Sequence, residues 1–293
     1  ICTCLVGSEM CIRDSVCIGQ IKRNYPPIIE DAREYIYKKA SGIDLKLWIY
    51  SPINKEVKTP AILFFFGGGF RNGSPEQFTP QARYFASRGI AGIVVDYRVN
   101  SRHNVKPIEC LSDAKAAIQW VRKNAKDLKI DPNKIIASGG SSGGYLAAAS
   151  YFVDKKVVGN SDKTNEKPYA LVLFNPGGMD MPEVNEDEFI RRFGALRKDV
   201  NLIDLIGMNA PPTLILHGDI DKTVDITNVR NFTKKMKTLG HKCKLVEYKN
   251  APHGFFNFGR SNNSPFYHTL SVVDAFLIEN GFLDPFADIK TNF

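Results

Sequence analysis

The chain has 293 residues, 43% of them hydrophobic and 24% charged, with a net charge of +8 at neutral pH. That composition is rich enough in apolar residues for one large α/β domain and excludes a chain too polar to fold. No run approaches the roughly 18 apolar residues of a membrane span. The positive charge is scattered, with its densest run at Lys234, Lys235 and Lys237 reading as a solvated helix face, so no nucleic-acid partner is expected.

In chain order, the first segment stands apart. Residues 1–17 carry Cys2, Cys4, Cys11 and Cys17, lack an initiator Met and show no helix or strand period. The string from Val6 to Ser15 resembles translated sequencing-adapter sequence, so this segment is expected to be non-native or disordered and the domain to span 18–293. A leader peptide missing from the true start would leave the cellular compartment open. Beyond this segment only Cys110 and Cys243 remain. No disulfide framework is expected, and no histidine or cysteine pair stands at metal-ligand spacing, so neither metal nor cofactor is predicted.

From Ile43 onward strands and helices alternate. Ile43–Tyr50 alternates apolar and polar residues, as a half-buried antiparallel edge strand does, whereas Ala61–Phe66 and Ile90–Asp96 are the near-continuous apolar runs of buried parallel strands. Phe78–Arg88 and Pro107–Leu128 carry apolar residues at helical spacing. The Asp131-Pro132 turn precedes a short strand at Ile135–Ser138, and a helix follows at Tyr145–Tyr151. Ala170–Phe174, Thr213–Leu216 and Lys244–Tyr248 read as further strands, with helices at Asn228–Leu239 and His268–Glu279. The fold class is therefore α/β, a doubly wound, mostly parallel sheet with helices on both faces. One long connection, 175–210, reads as a small lid-like insertion with Phe189, Phe193 and Leu196 on one side.

In such sheets ligands bind beyond the carboxyl ends of the strands, and four segments there carry chemistry. Gly139-Gly140-Ser141-Ser142-Gly143-Gly144 has the strand, glycine turn and helix context of a nucleophile elbow, which needs very small residues two before and two after the serine. Both Ser141 and Ser142 satisfy that spacing. Phe66-Gly67-Gly68-Gly69 frees main-chain N–H groups to face a developing oxyanion. On the His217-to-Val224 loop, Asp219 and Asp221 are both suited by chemistry to orient a histidine. Pro252-His253-Gly254 places a histidine where it can act as a base. Taken singly, each segment also reads as an ordinary turn, cap or surface loop. Their order, Ser then Asp then His after successive strands, is what raises them above that reading.

With these motifs the sequence resembles the esterase branch of the α/β-hydrolases that includes bacterial hormone-sensitive-lipase-like enzymes and acetyl (xylan) esterases, over about Ile43 to Leu283. The resemblance implies Ser141 as nucleophile, through the register Gly143-Gly144-Tyr145-Leu146-Ala147, and Asp221 as acid, through His217-Gly218, Asp221 and Val224. It implies His253 as base and the backbone N–H groups of Gly67, Gly68 and Ser142 as the oxyanion hole. Asp96-Tyr97-Arg98 and the Asp131-Pro132 turn resemble structural supports of the family. Phe66 stands where the family has histidine, which removes a side-chain hydrogen bond and leaves the backbone donors. Asp225 stands where proline is common. The implied substrate is a short acyl ester, an acetyl group on a small molecule or carbohydrate, in keeping with His253-Gly254-Phe255-Phe256-Asn257. Phe64, Phe70, Phe255 and Phe256 are candidates to narrow an acyl pocket, although aromatics near strand ends are more often core. The competing classes are a serine peptidase of the prolyl-oligopeptidase type and a catalytically silent binding module.

Overall fold

The apolar runs of the sequence form the centre of one sheet. A computed structural model describes residues 25–53, 58–159 and 162–285, so the segment 1–17 lies outside the described residues. Among these, eight strands stand in the order β1 (Arg33–Ala40), β2 (Ile43–Tyr50), β4 (Ala91–Val95), β3 (Thr59–Phe65), β5 (Ile130–Gly140), β6 (Ala170–Phe174), β7 (Thr213–Gly218) and β8 (Cys243–Tyr248). β2 pairs antiparallel with both β1 and β4, and every pairing from β4 to β8 is parallel.

Side chains alternate across a strand, and β3 shows the consequence. Ala61, Leu63 and Phe65 enter the core on one face, shared with α3 (Pro107–Lys123), α4 (Ser142–Phe152) and α7 (Ile226–Thr238). Ile62 and Phe64 enter the core on the other, shared with α1 (Thr79–Ser87) and α8 (Ser264–Glu279). Burial on both faces is why β3 and β4 read as unbroken apolar runs. A one-turn α2 (Asn100–His103) joins β4 to α3. Among the described residues no helix is long and apolar enough to cross a membrane, and Cys110 and Cys243 are free and buried.

Two sequence expectations need correction. Ile43–Tyr50 is not the edge strand, because β1 covers it; β1 buries only Tyr37 and so carried no apolar signal. β5 starts at Ile130 rather than Ile135, with the Asp131-Pro132 turn bulged out between the pairs Thr59–Ile130 and Ala61–Ile135. The segment 175–210 holds α5 (Glu186–Phe193), the one-turn α6 (Arg197–Val200) and a 3-10 turn at Leu202–Leu205. Phe193 is buried and Phe189 stacks on it at 5.2 Å, whereas Leu196 is exposed.

Beneath the sheet's carboxyl edge the Asp96-Tyr97-Arg98 stretch is buried. Arg98 donates through Nε and Nη2 to the two carboxylate oxygens of Asp113 at 2.8 and 2.9 Å, and Lys38 Nζ reaches Asp113 at 2.7 Å. Asp96 accepts from the Tyr25 hydroxyl. Burial pushes the Asp96 carboxyl up to about 7, against the pull of Tyr25 and Arg102. The folded carboxyl thus holds its proton where the unfolded one, with a pKa of about 4, has lost it. Its contribution is complete below about pH 4 and is lost as pH rises through about 7. Asp96→Asn, which stays neutral, is therefore expected to gain on the wild type between pH 4 and pH 8, by up to about 4 kcal/mol. Urea melts of both proteins at the two pH values check this, and a stability difference independent of pH contradicts it.

Candidate active site

All parallel strands send their carboxyl ends to one edge, and the loops after β3, β5, β6, β7 and β8 meet there. Between Gly140, which ends β5, and Ser142, which opens α4, Ser141 is held at φ 55°, ψ −119°. A non-glycine residue in that region costs about 1–3 kcal/mol, and the packing around it shows what enforces the turn. A Cβ on Gly143 would lie 2.0 Å from Phe65 O, and one on Gly139 would lie 2.5 Å from both Phe65 O and Gly143 O. Ser141 N–H donates to Phe174 O at 2.9 Å, and its carbonyl accepts from Gly177 N–H at 3.0 Å. The positive φ falls on Ser141, while Ser142 is buried in the first turn of α4. That separates the two serines, which the spacing had left equivalent.

Asp221 is the buried acid of the β7 loop; Asp219, the other candidate, is exposed. Each Asp221 oxygen has its own partners. Oδ1 accepts from Thr223 N–H at 2.8 Å and Val224 N–H at 3.0 Å. Oδ2 lies 2.6 Å from His253 Nδ1 and accepts from Asn175 Nδ2 at 3.0 Å. Burial works to raise the carboxyl's pKa, but Val224 N–H, His253 and Thr223 N–H outweigh it and hold the group below the usual carboxylate range. His217 is fully buried beside this acid, with Nε2 3.0 Å from Val224 O and 3.5 Å from Asp221 Oδ2. Burial lowers its pKa, so it stays neutral and donates to the Val224 carbonyl. With His253 Nδ1 engaged by Asp221, Nε2 is the ring nitrogen left for a substrate or nucleophile.

The glycine loop after β3 lies against the elbow: a Cβ on Gly67 would sit 3.3 Å from Ser141 Cβ. Gly68 has φ 133°, and a Cβ there would lie 2.1 Å from Asn72 O, so only glycine fits. Phe66, which stands where the resemblance implied a histidine, is held by Tyr97. Its ring stacks on Tyr97 at 4.0 Å, and the Tyr97 hydroxyl donates to Phe66 O at 2.7 Å. Of the three expected oxyanion donors, Gly67 N–H is engaged by Gln77 Oε1 at 2.7 Å. Ser142 N–H is a helix-start donor of the kind that has no partner within its own helix.

Two participants carried no motif. Asn175, fully buried just past β6, donates to Asp221 and accepts from Gly254 N–H at 3.3 Å, so it ties the acid loop to the histidine loop. Its only signal was a polar residue before Pro176-Gly177-Gly178 at the end of a buried strand. Gln77 links Gly67 to Asn257 Oδ1, 3.0 Å from its Nε2, and Asn257 Nδ2 donates to Gly254 O at 2.9 Å; nothing in the sequence marked it. Of the aromatics weighed for an acyl pocket, Phe64, Phe255 and Phe256 are core, as aromatics near strand ends more often are, with Phe256 packed under Gly140. Phe70 lines a cavity. Asp225 caps α7 by accepting from Thr227 N–H at 2.7 Å.

A hydrogen bond to a charged group is worth about 1.5–3 kcal/mol, so Asn175→Ala is expected to lower kcat by roughly 10- to 100-fold. KM should change little, because Asn175 is fully buried beneath the site. Steady-state kinetics on a soluble ester check this, and a change confined to KM contradicts it.

A doubly wound, mostly parallel sheet with a strained serine turn after β5, a buried aspartate after β7 and its histidine after β8 defines an α/β-hydrolase. The BD-FAE family model matches residues 47–236, and the chain belongs to that family. Among solved structures, the propionate-bound form of a thermophilic esterase from the Planctomycetes species Thermogutta terrifontis is 44% identical with a TM-score of 0.86. The likeness covers 89% of this chain and 99% of that one. Among curated proteins, Esterase LipC of Mycobacterium tuberculosis is 25% identical over 73% of this chain and 57% of its own length. The acetylxylan esterase of Xylanibacter ruminicola is 29% identical over 67% of this chain and 41% of its own length. The chain thus spans only about half the length of these curated relatives.

Proposed function

We propose that the protein is a serine carboxylesterase acting on short acyl esters, acetyl above all, including acetyl groups on carbohydrates. The observation that carries this reading is the 2.6 Å contact of His253 Nδ1 with the multiply anchored Asp221, on loops tied together by Asn175, whose chain neighbour Phe174 accepts from the Ser141 N–H. Support also comes from the Thermogutta terrifontis esterase 2, whose structures include propionate-bound, butyrate-bound and paraoxon-phosphorylated forms. Phosphorylation by an organophosphate is the reaction expected of an activated hydroxyl nucleophile.

The chemistry proceeds in two balanced steps. Ser141 Oγ bonds to the ester carbonyl carbon as its proton passes to His253 Nε2, and Asp221 stabilises the imidazolium. The tetrahedral oxyanion is met by the backbone N–H groups of the glycine loop, Gly67 and Gly68, and of Ser142, with Gly67 N–H held by Gln77 Oε1 in the structure. The C–O bond to the alcohol breaks, and the alcohol leaves with the proton from Nε2. Water then attacks the acyl carbon, giving a proton to His253 Nε2; the bond from that carbon to Ser141 Oγ breaks, Oγ takes the proton back from Nε2, and the carboxylic acid leaves. A chain-length series of 4-nitrophenyl esters tests the acyl preference. Highest kcat/KM is expected at two to four carbons; a maximum at eight carbons or more rules the acetyl preference out.

A further inference from the structure

One concave space adjoins the oxyanion loop without belonging to the Ser141, Asp221 and His253 constellation. It is a cavity of about 840 Å3, bounded by Gly69 and Phe70 on that loop, by residues 104–106 ahead of α3 and Pro107 at its start, and by α5 of the 175–210 insertion. Its inner wall is apolar. Phe70 meets Tyr145 edge-on at 5.8 Å and Phe193 at 6.3 Å, and Tyr145 stands on α4 four residues past Ser141. The aromatic wall therefore runs from the helix that follows the nucleophile into the cavity. Gly69 is one residue past Gly68, a Cα step of about 3.8 Å, so a group a few bonds from the ester carbon reaches the cavity.

The rim differs sharply from the wall. Arg71, Lys106, Arg191 and Arg192 line it, with Glu188 the one carboxylate among the lining residues. Glu188 is taken up by Arg192 at 3.5 Å. Among the described residues no carboxylate forms an ion pair with Arg71, Lys106 or Arg191. These three cations come from three separate stretches of chain and converge on one hollow. An ordinary solvated surface intersperses both signs; a cleft lined by one sign over a low-dielectric wall focuses the field and concentrates the opposite charge.

We propose that this cavity is a subsite for an anionic group, carboxylate or sulfate, carried on the alcohol part of the ester, with the ring or chain that bears it lying on the Phe70, Phe189 and Phe193 wall. The alcohol is the part concerned because the proposed acyl group is too short to reach so large a space, and in this the inference rests on the esterase reading. The substrate class is then an acetyl ester of an acidic alcohol, such as a uronic acid or a sulfated sugar.

The test compares 4-acetoxybenzoate and 4-acetoxybenzenesulfonate with neutral 4-acetoxybenzamide, each kcat/KM divided by the rate of hydroxide-catalysed hydrolysis of the same ester. About a tenfold preference for one or both anions is expected at low salt, shrinking at high salt; the anion preferred separates the carboxylate from the sulfate source. Arg71→Gln with Arg191→Gln should abolish the preference while leaving the amide's rate unchanged. Lys234→Glu, a charge change on the exposed face of α7, should leave the preference intact. No preference in the wild type, a preference surviving in the double variant, or an equal loss in Lys234→Glu overturns the subsite. Those outcomes leave hydrolysis of the neutral ester in place, whereas failure to hydrolyse all three esters overturns the esterase reading itself.

Discussion

Asp221→Asn is expected to lower kcat by roughly 10⁴-fold while leaving the fold intact, the scale of the same exchange in other Ser-His-Asp enzymes. The reason lies in how the acid is anchored. Two backbone N–H groups, of Thr223 and Val224, point at Oδ1, so an amide NH2 cannot occupy that position without facing two donors. The NH2 is driven to the Oδ2 position, where it confronts Asn175 Nδ2 and donates to His253 Nδ1. Donation to Nδ1 fixes the proton of a neutral imidazole on Nε2, the nitrogen that must accept from Ser141. Kinetics with 4-nitrophenyl acetate, alongside circular dichroism and a thermal melt, check this. A folded variant within tenfold of wild-type kcat contradicts it.

Gly143→Ala should damage both the fold and the catalytic turn. Its Cβ would stand 2.0 Å from Phe65 O and 2.4 Å from Phe66 O, both main-chain atoms leading into the Gly67–Gly68 loop. No flexible side chain is available to yield, so either the start of α4 or the end of β3 must move. Overpacking of this kind costs about 1–3 kcal/mol or more. Displacing catalytic groups by about 1 Å costs on the order of 100-fold in rate. Gly207→Ala is the control, since nothing lies within 4 Å of its added Cβ, and its stability should stay within about 0.5 kcal/mol of wild type. Equal melting temperatures and rates for Gly143→Ala and wild type contradict the close packing of the turn.

What the sequence made legible follows from where side chains point. β3 and β4 are buried on both faces, so their apolar runs read as buried parallel strands, and the alternation of strands and helices carried the fold class. β1 was illegible because Tyr37 alone is buried in it, and its covering of β2 depends on backbone pairing that no side-chain pattern reports. Ser141 and Ser142 were inseparable by spacing because glycines flank both at the required distance; the backbone angle at position 141 distinguishes them. Asn175 and Gln77 escaped notice because their partners lie far off in sequence, Asp221 46 residues and Asn257 180 residues away. Phe64, Phe255 and Phe256 were left between pocket and core because an aromatic at a strand end looks the same in either place; all three fill the core, the commoner case.

The central claim is that Ser141, and not Ser142, is the activated nucleophile. A fluorophosphonate probe tests it most directly, since only an activated serine reacts at an appreciable rate. Intact protein should be labelled once, with the adduct on the peptide containing Ser141. Ser141→Ala should lose both labelling and hydrolysis of 4-nitrophenyl acetate, whereas Ser142→Ala, which keeps its backbone N–H, should retain both. Labelling that persists in Ser141→Ala and vanishes in Ser142→Ala would contradict the assignment.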